Sequence, residues 1–444
     1  MTKISVGVAD HLPSDVQAML IAMYSRSYAP ISSRLPQEDD TLDSYRNNLS
    51  KYYKTYGHKS VAQLGSTTIW LEGVSQLAAK AIENHPLFNG QESSTRYIDY
   101  SNQPMVSASE EITKWQETFR AFYIKAVPLV TEKVKAEFPY EAQPEGTSLT
   151  TWENTIKART FDICRGLLPA GCTTNVAFTG TFDTINDHFG EMLYHPCQEM
   201  RDIALQVLTG FKEKYPHAAI DVEVLRARNS YVTDDFFYQS ISLDTGDNTV
   251  KFINDGTDVL DIYQPNSVKR QKFSKFSRPL ANSYRMNLLG LIDFGSYRDI
   301  HRHRNGYIYM EPLGTRNGFH EFYMNNLTME LQTELADLLA EYDWYRNTKF
   351  CSLSFAPSDY YELQYSIPMG YKVAVNYNCD INQALYILEL RSGKTVHQTL
   401  RHLVQDWVPL IKEHYGVEIH ADMDKENFSL RRGTQTFTGI DSGS

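Results

Sequence analysis

The feature that most constrains the fold of this 444-residue chain is an internal repeat about one domain long. The segment LLPAGCTTNVAF, which contains Pro169, resembles SIPMGYKVAVNY, which contains Pro368. Further along, FKEKYP with Lys212 is echoed by IKEHYG with Lys412. The two prolines are 199 residues apart and the two lysines 200. A shared spacing between two matching segments indicates a tandem duplication, and the length already exceeds the ~150 residues of a typical domain.

Hydrophobic periodicity predicts a mixture of helices and strands. Apolar residues at three- to four-residue spacing predict helices over Asp15–Tyr24, Leu71–Asn84, His195–Lys214, Leu327–Glu341 and Val396–His414. Alternation of β-branched and aromatic residues predicts strands over Ser66–Trp70, Thr173–Phe178, Phe236–Ile241 and Tyr371–Tyr377. The turn-rich stretch 244–266 is interpreted as hairpins or a connecting insertion. We therefore predict an α+β fold of two tandem repeats, 1–220 and 221–444, each a sheet flanked by helices.

Composition narrows the class of protein. Lys and Arg number 43 against 54 Asp and Glu, a net charge of −11, which argues against a nucleic-acid coat or a polybasic membrane anchor but not against a local basic site. No run approaches the ~18 apolar residues of a membrane span, and MTKISVGVADHLPSD lacks the apolar core of a signal peptide. Five cysteines without a CxxC pair favour neither disulfides nor a metal site. We expect a soluble cytoplasmic protein.

The densest basic site in this acidic chain is Arg302-His303-Arg304, which follows an apolar run and precedes Asn305-Gly306. Guanidinium groups provide forked, permanently charged donors that suit a pyrophosphate or an electron-rich ring. The alternative is a solvated helix end, where cations complement the helix dipole.

A second candidate is the stretch NGQESSTRY, residues 89–97. Its hydroxyls and backbone N–H groups, with Arg96 two residues after Ser94, can hold a phosphate. The alternative is an ordinary polar loop. The chain contains no GxGxxG, GxxxxGK[ST] or HExxH motif, so dinucleotide-fold, P-loop and zinc-protease interpretations lack support.

Several segments of the first half together resemble the flavin-dependent thymidylate synthases. They are YGHKSV (56–61), the pair Thr67-Thr68, GVS (73–75) and ESSTRY (92–97). The family signature is Arg-His-Arg, then seven residues, then Ser-x-Arg-Tyr. On this pattern Asn84-His85-Pro86 stands at the Arg-His-Arg position with intact spacing to Ser94, but without either arginine.

The second half resembles the family less overall but keeps what the first half lacks. Arg302-His303-Arg304 is a literal Arg-His-Arg, and Leu390-Arg391 before Ser392 and His397 is similar to the family's LRxDSH segment. Pro312, however, stands where the signature has Ser. The first half has no clear counterpart of the LRxDSH arginine ahead of His195. The two halves are complementary, which suggests one composite site built from both repeats.

The resemblance implies a flavin-dependent methylation at C5 of a pyrimidine nucleotide, most simply dUMP to dTMP. It implies FAD as cofactor, methylenetetrahydrofolate as one-carbon donor, NADPH as reductant, and no protein nucleophile. It further implies a homodimer that mimics the family's tetramer, with neither nucleic acid nor membrane as partner. The implied roles are as follows: Arg302, His303, Arg304 and His85 at the flavin; Glu92, Ser94, Arg96 and Arg391 at the nucleotide; Arg302 and Arg391 nearest the chemistry.

Two other functions stay open at this point. The chain is alternatively a flavoprotein of the same descent that acts on a different nucleotide-like substrate. It is alternatively a degenerate, non-catalytic duplicate, because the tripeptide at residues 84–86 and Pro312 have lost signature residues.

Overall fold

The computed structural model describes residues 12–25, 42–143, 145, 147–232, 248–255, 269–352 and 357–426. Its helices are α1 Ser14–Tyr24, α2 Leu42–Ser50, α3 Lys59–Ala62, α4 Gln76–Glu83, α5 Glu110–Glu137, α6 Leu149–Cys164, α7 Phe182–Met192, α8 Gln198–Lys214, α9 Val222–Asn229, α10 Arg278–Ser283, α11 Phe294–Ile300, α12 Glu321–Asn325, α13 Met329–Ser352, α14 Pro357–Glu362, α15 Ile381–Arg391 and α16 Gln398–Tyr415. Its strands are β1 Ser66–Ser75, β2 Asn89–Glu92, β3 Thr173–Thr181, β4 Thr249–Asp255, β5 Tyr284–Asp293, β6 Gly306–Met310 and β7 Lys372–Asp380.

The chain divides into two compact units whose limits differ from those of the sequence repeats. The first unit comprises Met1–Glu72, Leu87–Gln91 and Asn175–Tyr238; the second comprises Gly73–Pro86, Glu92–Thr174 and Gln239–Ser444. The repeats 1–220 and 221–444 are the two copies predicted from the sequence, and their limits remain a prediction. Much of the first copy, including α4, α5 and α6, belongs to the second compact unit.

In the first unit, the apolar stripes of α7 and α8 face each other. The ring of Phe182 lies 5.6 Å from Phe211 and 4.7 Å from Tyr215, and all three rings are at least partly buried. The Tyr53 hydroxyl donates to the Asp183 carboxylate at 3.2 Å, so a buried polar group is satisfied beside this core.

The second unit is built on an antiparallel four-stranded sheet with the order β4-β5-β7-β6. The central pair runs in register from Arg285 opposite Asp380 to Asp293 opposite Lys372. The amphipathic helix α16 packs on this sheet, and its fully buried Trp407 donates an indole N–H bond to Leu289 O at 2.9 Å. Apolar residues facing inward from sheet and helices therefore form one core.

The order of elements is repeated along the chain. The series β1-α4-β2-α5-α6-β3-α7-α8 corresponds to β5-α11-β6-α13-α14-β7-α15-α16, apart from the additional short helix α12. The strand order is also repeated, as β1-β3-β2 in the three-stranded sheet and β5-β7-β6 in the four-stranded one. Two sheets with the same order and connections are what a duplicated chain should form.

The matching segments of the repeat pair with each other within the second unit. Pro169 and Pro368 form an antiparallel bridge. Around it are four backbone hydrogen bonds of 2.8 Å, from Ala170 N to Ile367 O, Met369 N to Leu168 O, Gly171 N to Tyr365 O and Gly370 N to Gly166 O. Adding 199 to the first-half residue of a bond and subtracting 199 from its second-half residue gives the reciprocal bond, so the pairing has local twofold symmetry.

The predicted α+β class is confirmed, with differences in detail. The expected helix over residues 71–84 begins only at Gln76, because the Ser75 hydroxyl accepts from Ala78 N at 2.9 Å and caps the helix there. The expected helix from His195 begins at Gln198, after Pro196, which disfavours a helical residue before it. The helix expected over 327–341 spans Met329–Ser352.

Two expectations concern residues that the structure describes incompletely. Within the stretch 244–266, Thr249–Asp255 forms strand β4 at an edge of the sheet, and the rest lies outside the described residues apart from Asn248. The predicted strand Phe236–Ile241 also lies outside them. Among the described helices, none is long and apolar enough to cross a membrane.

We predict that Gly171→Ala lowers the free energy of unfolding by about 1–3 kcal/mol. A Cβ there would lie 2.5 Å from Val106 O and 2.9 Å from Tyr365 O, so the backbone of the reciprocal pairing must shift. The matched control is Gly210→Ala on the exposed face of α8, where a Cβ meets nothing within 4 Å. It should raise stability by about 0.5–1 kcal/mol. Urea denaturation measures both, and equal effects would contradict the close pairing.

Candidate functional site

Two equivalent strand-to-helix junctions position the candidate residues of the second unit. The Asp293 carboxylate at the end of β5 accepts from Ser296 N at 2.8 Å and caps α11, as Ser75 caps α4. Each short helix ends just ahead of one of the two tripeptides, residues 84–86 and 302–304. The fold therefore places both family-like tripeptides after the same structural element.

A buried ionic cluster joins the two junctions; it comprises Lys80, Glu83, Glu92 and Arg298. Lys80 Nζ lies 2.8 Å from Glu83 Oε2 and 2.7 Å from Glu92 Oε2. Arg298 Nη2 lies 2.6 Å from the other oxygen of Glu92. All four side chains are 6% exposed or less. Two cations and two carboxylates thus balance in a buried region, where unpaired charge is costly.

The cluster also fixes the turn that carries Ser94 and Arg96. Arg298 Nη1 donates to Thr95 Oγ1 at 3.0 Å, and its Nη2 donates to Ser93 O at 3.0 Å. Glu92, expected at the nucleotide, has a completely buried carboxylate that is engaged by two cations. Glu92 therefore holds the turn in place through Arg298. The turn is therefore not an ordinary solvated loop.

Arg96 forms an ion pair that the sequence does not indicate. Its Nε donates to Asp162 Oδ1 at 2.6 Å and its Nη2 to Asp162 Oδ2 at 3.0 Å. Burial lowers the pKa of Arg96 to about 10, so it is a cation at neutral pH. The Ser94 hydroxyl accepts from Arg96 N at 3.3 Å. Two donors of the Arg96 fork are consequently directed at a carboxylate of the chain itself.

The Arg-His-Arg tripeptide is joined to Arg391, the last residue of α15. Arg391 Nε donates to His303 Nε2 at 2.9 Å, and its Nη2 donates to Asp299 O at 2.8 Å. Burial, aided by the charge of Arg391, lowers the pKa of His303 to about 3. The imidazole is therefore neutral, with Nε2 as acceptor. Because His303 is only 7% exposed, the tripeptide is not a solvated helix end.

The buried carboxylate of Asp299 lies in the field of arginines from both candidate segments. Burial alone would raise the pKa of Asp299, but the charges of Arg391, Arg96, Arg165 and Arg302 hold it well below its ordinary value. Arg96 and Arg302, 206 residues apart in sequence, thus act on the same group. We call Arg302, Arg304 and Arg391, with Asp299, the arginine site.

Positive charge exceeds negative charge at the arginine site. Among the described residues, Asp299 forms no ion pair within 4 Å, and Arg302 Nε is buried without a hydrogen-bond partner. Arg165 is fully buried and donates to Tyr323 and Ser296. An excess of guanidinium groups with an unused buried donor fits an anionic group such as a phosphate or pyrophosphate.

The remaining predicted residues lie as follows. His85 is half-buried directly after α4, where its backbone N–H donates to Glu83 O at 2.9 Å. His397 precedes α16 and contacts Ser296 Oγ at 3.1 Å and Asp162 O at 3.2 Å. His195 is buried in the first unit, and the residue that directly precedes α8 there is Cys197.

Sequence reasoning missed four residues of this region: Lys80, Arg298, Asp162 and Asp299. Each is a charged residue in an otherwise apolar or mixed helix, a pattern that usually indicates a solvated face. The available signal was positional. Lys80 and Arg298 both stand five residues after the helix-capping residue of their junction, so the repeat itself pointed to equivalent cations.

We predict that Glu83→Gln removes a pH-dependent part of the stability. Burial would raise the pKa of Glu83, but Lys80 and His301 bring it well below its ordinary value. The stabilisation is thus complete above about pH 4.3 and is lost as the pH falls through the folded-state pKa. Denaturation at pH 7 should show a loss of about 1–3 kcal/mol that shrinks towards pH 3. Glu341→Gln, on an exposed position of α13, is the control, and parallel pH profiles would contradict the prediction.

Proteins of similar length match most of the chain. The UPF0159 protein of Thermoplasma acidophilum is 21% identical over 86% of this chain and 90% of its own. A UPF0159 protein of Chlamydia muridarum is 23% identical over 89% of this chain and 87% of its own, and one of Chlamydia pneumoniae is 23% identical over 88% and 86%.

A solved structure and a family model match about half of the chain. The structure is that of the flavin-dependent thymidylate synthase ThyX of Helicobacter pylori complexed with FAD and dUMP. It shares 17% identity with this chain, covers 50% of it and 95% of its own length, and has a TM-score of 0.28. The family model is described as thymidylate synthase complementing protein and matches residues 8–217. Residues 8–217 of this chain, a little under half of it, are therefore similar to the thymidylate synthase complementing protein family.

Proposed function

We propose that this protein is a flavin-dependent enzyme that methylates C5 of a pyrimidine nucleotide, converting dUMP to dTMP with methylenetetrahydrofolate and NADPH. The observation that carries the proposal is that α11, which ends just before the Arg-His-Arg segment, holds the Ser-x-Arg turn. Arg298 of α11 donates to Thr95 Oγ1 and to Ser93 O, both at 3.0 Å. The similarity of residues 8–217 to the thymidylate synthase complementing protein family favours a nucleotide as the ligand of such an arrangement.

Within this proposal, the arginine site binds the flavin cofactor. Arg302 and Arg304 offer permanently charged donors to its pyrophosphate or ring, and the unused Arg302 Nε supports this assignment. His303, kept neutral and oriented by Arg391, accepts rather than donates at Nε2. His85, from the equivalent tripeptide, is proposed as a further flavin contact. When bound, FAD would supply the redox chemistry, and the protein would supply orientation and charge.

The nucleotide is proposed to lie between the turn of Ser94 and Arg96 and the end of α15. Ser94 and Arg96 would hold the phosphate, and Arg391 would face the pyrimidine ring beside Arg302. Glu92 acts indirectly, because its carboxylate is buried in the ionic cluster and fixes the turn. The phosphate must share Arg96 with Asp162, whose carboxylate is already 2.6 Å from Nε.

The ion pair between Arg96 and Asp162 favours a second candidate function, a flavoprotein that acts on a different nucleotide-like substrate. A carboxylate on the Arg96 fork competes with a phosphate dianion for the same donors. A ligand without a phosphate at this position would leave the pair intact. The decisive assay is tritium release from C5-labelled dUMP by flavin-loaded protein with methylenetetrahydrofolate and NADPH. Release supports the thymidylate reaction; flavin binding without release favours the second candidate.

Flavin affinity should depend on both arginines of the tripeptide. Arg302→Ala and Arg304→Ala each remove a charge-assisted donor, with an expected loss of about ten- to a hundredfold in FAD affinity. Fluorescence titration with FAD measures the loss. The control is Arg228→Ala, whose half-exposed side chain lies on α9. Unchanged affinity in both tripeptide variants would contradict the assignment.

Nucleotide binding should depend on Arg96 without a comparable effect on flavin. Because Arg96→Ala alone would leave Asp162 buried and unpaired, we choose the double variant Arg96→Gln with Asp162→Asn. It should weaken dUMP binding by about ten- to a hundredfold in calorimetry and leave FAD affinity within about threefold. Equal losses of both ligands would indicate a general disturbance of the turn instead.

We also propose one flavin per chain, in a homodimer. The reciprocal tripeptide Asn84-His85-Pro86 carries no arginine, and Pro312 replaces the hydroxyl residue at the other end of that site. The ratio of released FAD to protein, measured by absorbance, should be near one. A ratio of two would contradict the asymmetric site.

A further inference from the structure

Arg346 is the exception among the buried arginines of the described residues. The arginines that are 9% exposed or less are 159, 165, 270, 298, 346 and 401. Arg270 pairs with Glu389 at 2.8 Å, Arg298 with Glu92 at 2.6 Å, and Arg401 with Asp422 at 3.2 Å. The described residues provide Arg346 with no ion pair and no hydrogen bond, although it is only 6% exposed and its Nη1 is completely buried.

The surroundings of Arg346 are aromatic. On its own helix, α13, lie Tyr342 and Tyr345, with ring centroids 6.1 Å apart, and Tyr371 of the sheet lies 6.3 Å from Tyr342. The charge of Arg346 also acts on Tyr360 of α14, which is partly exposed and lies 6.0 Å from Tyr361. Tyrosines of α13, α14 and the sheet therefore lie in the electrostatic range of Arg346, and those of α14 are partly exposed.

The carboxylates whose electrostatic range includes the surroundings of Arg346 have other partners. Asp343 accepts from the Tyr371 hydroxyl at 2.7 Å and, within the part of the chain that the structure describes, forms no ion pair within 4 Å. Glu311, which also acts on Tyr360, is itself paired with Arg316 at 2.9 Å. A buried guanidinium without a partner costs free energy of folding, and such a cost is typical of binding sites.

We propose that Arg346 is the anchor of a second ligand site, which takes an oxyanion group carried by a flat ring. The guanidinium would donate a pair of hydrogen bonds to a carboxylate or a phosphate, and Tyr360 and Tyr361 would contact the ring. The proposed site is distinct from the arginine site, because its residues lie on α13 and α14 rather than on α11 and α15 or in the tripeptide 302–304.

The test uses the full chain with benzoate, inorganic phosphate and uridine monophosphate as separate probes. Binding of benzoate but not phosphate identifies a carboxylate site, and the converse identifies a phosphate site; either result supports the proposal. Arg346→Gln should lower the affinity for the probe that binds by about ten- to a hundredfold, as measured by calorimetry. The matched control Arg226→Gln removes an exposed arginine of α9 and should change affinity by less than about threefold. Arg302→Ala should also leave this affinity unchanged, which separates the site from the proposed flavin site.

A second measurement does not depend on the choice of probe. Arg346→Met removes an unpaired buried charge and keeps the apolar volume, so the ligand-free variant should unfold at the same temperature as the wild type or higher. A lower unfolding temperature would show that Arg346 has a stabilising partner within the fold and would overturn the proposal. Failure of all three probes to bind the wild type would overturn it as well.

Discussion

The arrangement of the second unit depends on the Glu92 carboxylate, which Lys80 and Arg298 share. These cations belong to α4 and α11, which follow equivalent strands of the two repeats. One buried anion between two buried cations therefore ties together two helices and the turn at Ser94. Removing any one of the three charges would take a buried ionic partner from at least one of the others, so the three groups constrain one another.

The balance within this cluster explains why the neighbouring arginine site stays positive. Lys80 and Arg298 are neutralised by Glu83 and Glu92, and His301 beside them is uncharged because burial lowers its pKa. Arg302 and Arg391 lie in the field of Asp299, and Arg304 lies in that of Glu83. The cluster is therefore a neutral structural region beside the arginine site, where guanidinium groups outnumber carboxylates.

Much of the fold and part of the site could be predicted from sequence, for physical reasons. The Arg-His-Arg and Ser-x-Arg segments are short local patterns, and the strand β7 and the helix α16 have strong hydrophobic periodicity. The Arg96–Asp162 pair could not be predicted, because 66 residues separate its partners and Asp162 resembles any polar residue of a helix. The predicted start of α4 at Leu71 was wrong, because the apolar spacing continues through Gly73–Ser75. Only the cap at Ser75 marks the end of β1.

The groups of the arginine site carry charges that hardly vary with pH. Arginines titrate far above neutrality, and the pKa of Asp299 lies well below its ordinary value. His301, His303 and His397 are neutral because burial lowers the pKa of each. A site of this kind attracts an anion equally across the neutral range. Because none of these described groups changes its proton near pH 7, proton transfers in the proposed reaction would fall to the bound cofactor and substrate, and the chain would contribute charge and orientation.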